Sequence, residues 1–415
     1  MGFSLPAVMQ RQSALLYARY LLLFELVAIM FSPPLAVLAE LLLYLMFVFS
    51  RELRNRLILS FKQPLFVTAV GFGVVLIVGV FYSIESFDVS GRFLWGWRKL
   101  LMVIMAIAVF DEVVWKRKSV WLLVVLAAAC GIASYVTYFL DIGVYKYLPG
   151  IIIRNHAAQG MFFSVAAFAA IMLLMSKACH SKGSQYILLF CATILFCNVI
   201  FVTPGRSGYL ALLVLIAVAV FYFFNGWRKW LLLLSVPSMA VALLMVSPVA
   251  NQRINQAIDE VMTYQTASGY SSLGARMVML ENTKNLVIDR PLLGYGTGGF
   301  EKAYSSQLDD EVGWRNFSTG DPHNQFLKII VEHGIIGLMV FVGFIAAFFM
   351  QKIDQPWRVI GGGVLLAWCA TSMFSSHFST FSEGRFILLW MGMMGAMPLP
   401  IMNDENVEEE VAQSP

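Results

Sequence analysis

Charge is what this sequence has least of. Only 13% of its 415 residues are Asp, Glu, Lys or Arg, while 59% are hydrophobic; a soluble domain carries about 25% charge and about 45–50% apolar residues. The imbalance excludes an ordinary water-soluble chain. Cysteine is also sparse. The five, at positions 130, 179, 191, 197 and 369, lie in or beside apolar runs and never at C-x-x-C spacing. They read as small buried apolar residues, not as a disulfide framework or a zinc site. The net charge of +4 comes from dispersed cations, which argues against a nucleic-acid partner.

Several sharper motifs are missing too. "GYGTGG" has the letters of a potassium filter, but it sits in a polar stretch with no pore helix before it, and it lacks the GK[ST] ending of a phosphate-binding loop. Glu332-His333 lacks the second histidine of H-E-x-x-H, and Asp309-Asp310-Glu311 is an isolated acidic patch. No metal site and no cofactor are expected. The chain also shows no strand-like alternation, which removes a β-barrel.

What is present is a series of apolar runs of roughly 17–25 residues, the length a helix needs to cross about 30 Å of hydrocarbon. They predict an all-α polytopic membrane protein with about twelve transmembrane helices, near 14–32, 34–50, 64–82, 93–110, 119–138, 158–176, 184–202, 208–224, 229–247, 326–350, 359–375 and 385–402. The first is long enough to remain as an anchor, so no cleaved signal peptide is needed. Ser32-Pro33-Pro34 separates the first two spans, since helix cannot run through it. With the N-terminus inside, fourteen Lys and Arg fall on the inner side and seven, at 92, 98, 99, 146, 154, 206 and 385, on the outer side. That bias places both termini in the cytoplasm.

The expected organisation is spans one to nine in 1–247, an outer loop in 248–325, spans ten to twelve in 326–402 and an acidic cytoplasmic tail, "NDENVEEE", in 403–415. The loop is too long for a passive connector. It carries two helical patterns: "NQRINQAIDEVMTYQ", apolar at 254, 257, 258, 261 and 262, and "SSLGARMVMLENTKNLVI", with Leu273, Met277 and Leu280 on one stripe. Pro291 stops the second, and Gly294, Gly296, Gly298 and Gly299 follow. Loops of this kind on a rigid scaffold tend to carry function.

Four outer positions combine charge with an unusual setting. Arg206 lies in the short turn "TPGRSGY", where it could equally anchor lipid headgroups. Arg276 sits on the loop helix, where a solvated arginine is the plainer reading. His323, followed by Asn324, stands before span ten in "GDPHNQFLKIIVEHGIIG", wet enough to titrate near neutral pH. Arg154, Asn155 and His156 open span six, and Lys99, at the outer start of span four, is weaker still. Guanidinium groups hold phosphate oxygens bidentately, so several of them could stabilise a departing pyrophosphate without a metal. A histidine could then take the proton from an attacking hydroxyl. These residues permit a transferase that uses a lipid-linked diphosphate, and equally a transporter for an anionic solute.

The order of "GRSGY", "SSLGAR" and "PHNQFLKIIVEHGIIG", within about twelve spans and with the large outer loop late in the chain, resembles the O-antigen ligase family of the wider ligase and polymerase superfamily. The resemblance implies a GT-C-like fold in the bacterial inner membrane with a periplasmic active site, where O-antigen polysaccharide moves from undecaprenyl diphosphate to a sugar hydroxyl of lipid A–core. It also implies the partners: the lipid-linked glycan donor, the lipid A–core acceptor and membrane lipids. It assigns Arg206 and Arg276 to the diphosphate and His323 to the base, with Arg154, Asn155, Lys99 and Asn324 as possible contributors. The family's "NPN"-like element before span six is here "RNHAAQ", a departure that weakens the assignment of Arg154 and Asn155. An O-antigen polymerase uses the same chemistry on a second lipid-linked glycan. Protein O-oligosaccharyltransferases share the pattern but usually carry more sequence after the last span. A transporter would place charges within spans or show internal repeats, and no repeat is evident.

Overall fold

The computed structural model describes residues 7–145, 148–176, 181–203, 205–246, 248–263, 272–308 and 316–400. Lys146, Lys177, Cys179, Pro204, the acidic patch at 309–311 and the tail from 403 lie outside the described residues. The protein is mostly helical with almost no strand. The first helices are α1 (Ala7–Phe31), α2 (Pro33–Phe49), α3 (Arg51–Leu59), α4 (Pro64–Phe81), α5 (Phe87–Gly96), α6 (Leu100–Val109) and α7 (Val113–Phe139). A small hairpin, β1 (Gly143–Tyr145) with β2 (Leu148–Pro149), leads into α8 (His156–Met175), α9 (Lys182–Phe201) and α10 (Arg206–Phe223). Then come α11 (Trp227–Val246), α12 (Pro248–Thr263), α13 (Ser272–Asp289), α14 (Phe300–Ser305), α15 (Gln325–Met350), α16 (Trp357–Thr371) and α17 (Ser382–Gly395).

Among the described residues, seven helices are long and apolar enough to cross a membrane, and eight if α2 and the segment after it form one bent span. This makes a multi-pass membrane protein, although the expected count of twelve is not reached on helix length. The reason is local. The bend after α2 is 90°, where Ser50 turns its side chain back to accept the Leu53 N–H at 3.4 Å and starts a new helix. The expected span at 93–110 is split between α5 and α6 by a tight turn at Trp97–Lys99. The last two expected spans fall on helices of 15 and 14 residues, α16 and α17.

Of the seven long spans α8 is the most enclosed, packed by α7, α9 and α10. It meets α10 at Gly160 and Gly208, where a Cβ on either glycine would come within 3.0 Å of the other's backbone. Ser164 donates to Gly208 O across the seam at 3.0 Å. Small residues and an interhelical hydrogen bond are the means by which helices associate in lipid. Cys130 and Cys191 are buried as free thiols, in keeping with their reading as small apolar residues.

The two helical patterns of the 248–325 segment fall on α12 and α13, and the glycine run docks onto the membrane body. Tyr295 N–H donates to Val331 O at 2.9 Å, Gly296 N–H to Glu332 O at 2.7 Å and Thr297 N–H to Gly79 O at 3.0 Å. The Val331 and Glu332 carbonyls are available because α15 is kinked at Gly334, whose φ is 63°. Glycine is required there, since a Cβ would lie 2.0 Å from Leu292 O. Val331, Glu332 and Gly334 thus form the seat for the start of "GYGTGG".

Candidate active site

Each site residue stands at the start of a helix or beside one. Asn155 caps α8, its Oδ1 accepting Ala158 N–H at 2.8 Å. Asn324 caps α15, accepting Phe326 and Leu327 N–H at 3.0 and 3.1 Å. For both, the local chemistry is that of an N-cap, which satisfies donors the first helical turn leaves open. Arg206 is the first residue of α10 and is exposed. Gly205 before it has no room for a side chain, because a Cβ would lie 2.6 Å from His156 O. The Arg206 turn is thereby packed on the start of α8.

The turn between α16 and α17 gathers the rest. Arg154, held at a φ of 42°, donates to Ser382 Oγ and lies over the Phe381 ring. Lys99 Nζ donates to Thr380 O at 2.9 Å and is only 1% exposed. Gln325, the first residue of α15, accepts Ser379 N–H at 3.0 Å, and its own N–H donates to Ser372 O at 2.8 Å. His323 is half-buried with a φ of 52°, and its N–H donates to Asp321 Oδ1 at 2.9 Å. The same oxygen accepts Ser376 Oγ–H at 2.5 Å.

Next to Ser376, burial pushes the His377 imidazole below its ordinary range. Glu383 and Asp321 act in the opposite direction, and the Arg276 cation in the same direction as burial. Arg276, on the half-buried face of α13, therefore lies within electrostatic reach of this turn. Both His377 ring nitrogens are buried without a hydrogen-bond partner.

Four of the seven positions singled out in the sequence thus meet one turn, Arg154 and Lys99 directly, His323 through its support Asp321 and Asn324 through its neighbour Gln325, while Arg276 is linked to it through its field at His377. Asn155 and Arg206 join through the packing of their turns. Sequence reasoning missed Asp321, Ser376, His377 and Glu383. Asp321 was legible, two residues before the histidine in "GDPH", but nothing in "SSHFSTFSEGR" marks a turn that folds back onto it. It also took Arg98, Lys99 and Arg385 for wet outer cations. Lys99 and Arg385 are buried and Arg98 is partly buried; Glu40 on α2 accepts Arg98 at 3.2 Å and Arg385 at 3.1 Å, and Tyr44 OH donates to Glu40 at 2.5 Å.

The result is a half-buried histidine and several guanidiniums at the end of the bundle where α8, α10, α15 and α17 all begin. Each helix start carries partial positive charge from the helix dipole. The arrangement suits an anion with a proton acceptor beside it.

Residues 191–342 match the family model described as O-antigen ligase. The resemblance read from the sequence is borne out over this stretch, which holds Arg206, Arg276 and His323. The chain is also similar to an uncharacterized protein of Haemophilus influenzae, 23% identical over 252 residues, covering 59% of this chain and 62% of the relative. A protein of Rickettsia conorii named "Putative polysaccharide ligase" is 26% identical over 194 residues, covering 45% of this chain and 44% of the relative. The chain therefore spans less than two thirds of the length of each.

Proposed function

We propose that this protein is a membrane glycosyltransferase that moves O-antigen polysaccharide from undecaprenyl diphosphate to a sugar hydroxyl of lipid A–core. The observation that carries the reading is the gathering of helix starts, arginines and His323 at one end of the bundle, with Arg206, Arg276 and His323 inside the stretch that matches the O-antigen ligase family. In this reading the 248–325 segment and the site face the periplasm, and both termini lie on the cytoplasmic side of the inner membrane.

The chemistry is a single displacement. The acceptor hydroxyl oxygen attacks the anomeric carbon, and His323 takes its proton. The bond from that carbon to the diphosphate oxygen breaks, and the diphosphate leaves with the electron pair. Arg276, Arg206 and Arg154, with the N–H groups at the starts of α8 and α10, meet the charge that develops on it. His323 afterwards gives its proton to water. Displacement from one face inverts the anomeric configuration.

The test is purified full-length protein in nanodiscs, given lipid-linked glycan with either lipid A–core or a second lipid-linked glycan. Product on lipid A–core supports the ligase, longer lipid-linked chains point to a polymerase, and no product points to transport. His323→Ala and Arg276→Ala should abolish transfer with the protein still in the membrane. Arg276→Lys should also be poor, because a point charge does not reproduce the planar fork. Normal decoration of lipid A–core by His323→Ala would remove the base assignment.

A further inference from the structure

One buried side chain connects the two turns that carry Arg154 and Arg206. Gln159, in the first full turn of α8, has no exposed surface. Its Oε1 accepts the backbone N–H of Ile152 at 2.7 Å and of Ile153 at 3.0 Å, directly before Arg154. Its Nε2 donates to Gly150 O at 2.8 Å and to Thr203 Oγ1 at 3.1 Å, three residues before Arg206, with Ser134 Oγ at 3.3 Å.

The orientation of the amide is fixed by this surrounding. Two backbone donors face one end, and acceptors face the other. Thr203 Oγ1 is itself committed as a donor to Asn198 Oδ1 at 2.8 Å, so it can only accept from Gln159. Ser134 Oγ likewise donates to Gly150 O at 2.5 Å and accepts from Asn198 Nδ2 at 3.0 Å. The network is buried and Gln159 is fully satisfied within it, the condition under which polar groups specify one geometry.

Beside it the two turns touch without side chains, at Gly205 against His156 O. The turn before α8 also holds Arg154 at positive φ, a conformation that persists only when its surroundings enforce it. Gln159 supplies that enforcement from one side and ties it to the Arg206 turn on the other.

We propose that Gln159 is a positioning residue that sets Arg154 and Arg206 in one fixed relation, so that both address the same diphosphate. This rests on the reading that these arginines bind the donor. It needs no contact between Gln159 and substrate, and none is available at zero exposure.

The test uses full-length protein in nanodiscs and the lipid-linked glycan donor. Gln159→Met keeps the shape and removes the amide; Gln159→Glu keeps the acceptor end and sets a second oxygen against Gly150 O. Both should raise the donor KM by about tenfold or more while the KM for lipid A–core stays unchanged. In an Arg206→Ala background, Gln159→Met should add little, because groups acting through one another are not additive. Amide exchange at Ile152 and Ile153 should quicken in Gln159→Met.

If Gln159→Met does not accumulate in the membrane, Thr203→Val, which removes one acceptor, carries the same measurements. An unchanged donor KM with faster exchange overturns the positioning role. So does a loss that simply adds to that of Arg206→Ala. If Arg154→Ala and Arg206→Ala both leave donor KM unchanged, the diphosphate reading falls, and this inference with it.

Discussion

Asp321 is where the support of His323 can be tested most directly. One carboxylate oxygen takes two hydrogen bonds, from His323 N–H at 2.9 Å and from Ser376 Oγ–H at 2.5 Å. Hydrogen bonds to a charged acceptor contribute about 1.5–3 kcal/mol each. Against this, holding a histidine at a φ of 52° costs about 1 kcal/mol. Asp321→Ala removes the hold and keeps the cost, so the balance between the held and relaxed turn shifts by about 2 kcal/mol or more. That is roughly a 30-fold loss in kcat. The KM for donor should change little, because the arginines are untouched. Asp321→Asn preserves an acceptor oxygen and should lose only a few-fold, and Ser376→Ala should lie between wild type and Asp321→Ala. Single-turnover transfer by purified protein, matched for amount in the nanodisc, reads all three. Wild-type kcat for Asp321→Ala would refute the argument, as would a loss confined to the donor KM.

Other outcomes follow from the same structure. His377 is held neutral by burial below the usual histidine range of about 6.5, so the unfolded chain takes up that proton first and stability falls as pH drops below about 6.5. Thermal unfolding at pH 7.5 and 5.5 should show a smaller fall for His377→Gln than for wild type, with about 1.4 kcal/mol per pH unit as the ceiling for one group. Gly334→Ala forces a Cβ within 2.0 Å of Leu292 O at a φ of 63° and should cost about 3 kcal/mol or more, seen as a lowered Tm. Gly343→Ala on the same helix meets nothing within 4 Å and should leave Tm unchanged. Glu40→Ala strands Arg98 and Arg385 and should cost about 3–5 kcal/mol; a Tm equal to wild type would show that Glu40 is not their charge partner.

The long spans were legible because hydropathy and length suffice for them. α1, α4, α7, α8, α9, α10 and α15 lie close to where the apolar runs placed them. The short elements were not, since α6, α16 and α17 are largely apolar yet too short to span alone. Only packing against neighbours decides where such helices stop. The candidate site divides in the same way. Arg206, Arg276 and His323 stand out because an apolar chain rarely interrupts itself with such groups. The turn that supports His323 and Arg154 does not stand out, for serine, threonine and phenylalanine in "SSHFSTFSEGR" are ordinary until Asp321, Gln325 and Arg154 are seen to bond to them.

The cations around that turn serve two different ends, and burial separates them. Lys99 and Lys328 donate to the carbonyls of Thr380 and Gly320, and Arg98 and Arg385 are matched by Glu40. Their charge is spent on holding backbone and helices in register, where breaking a pair is costly even if the pair itself adds little stability. Arg206 is exposed at a helix start, while Arg154 and Arg276 are only half-buried beside others. Counting outer cations alone merges these two sets. Arg206, Arg154 and Arg276 keep part of their surface open at this end of the bundle, where they add to the partial positive charge at the starts of α8, α10, α15 and α17. Both sources point to an anion that binds at the surface of the bundle, as a lipid-linked diphosphate would, and not to one drawn through its core.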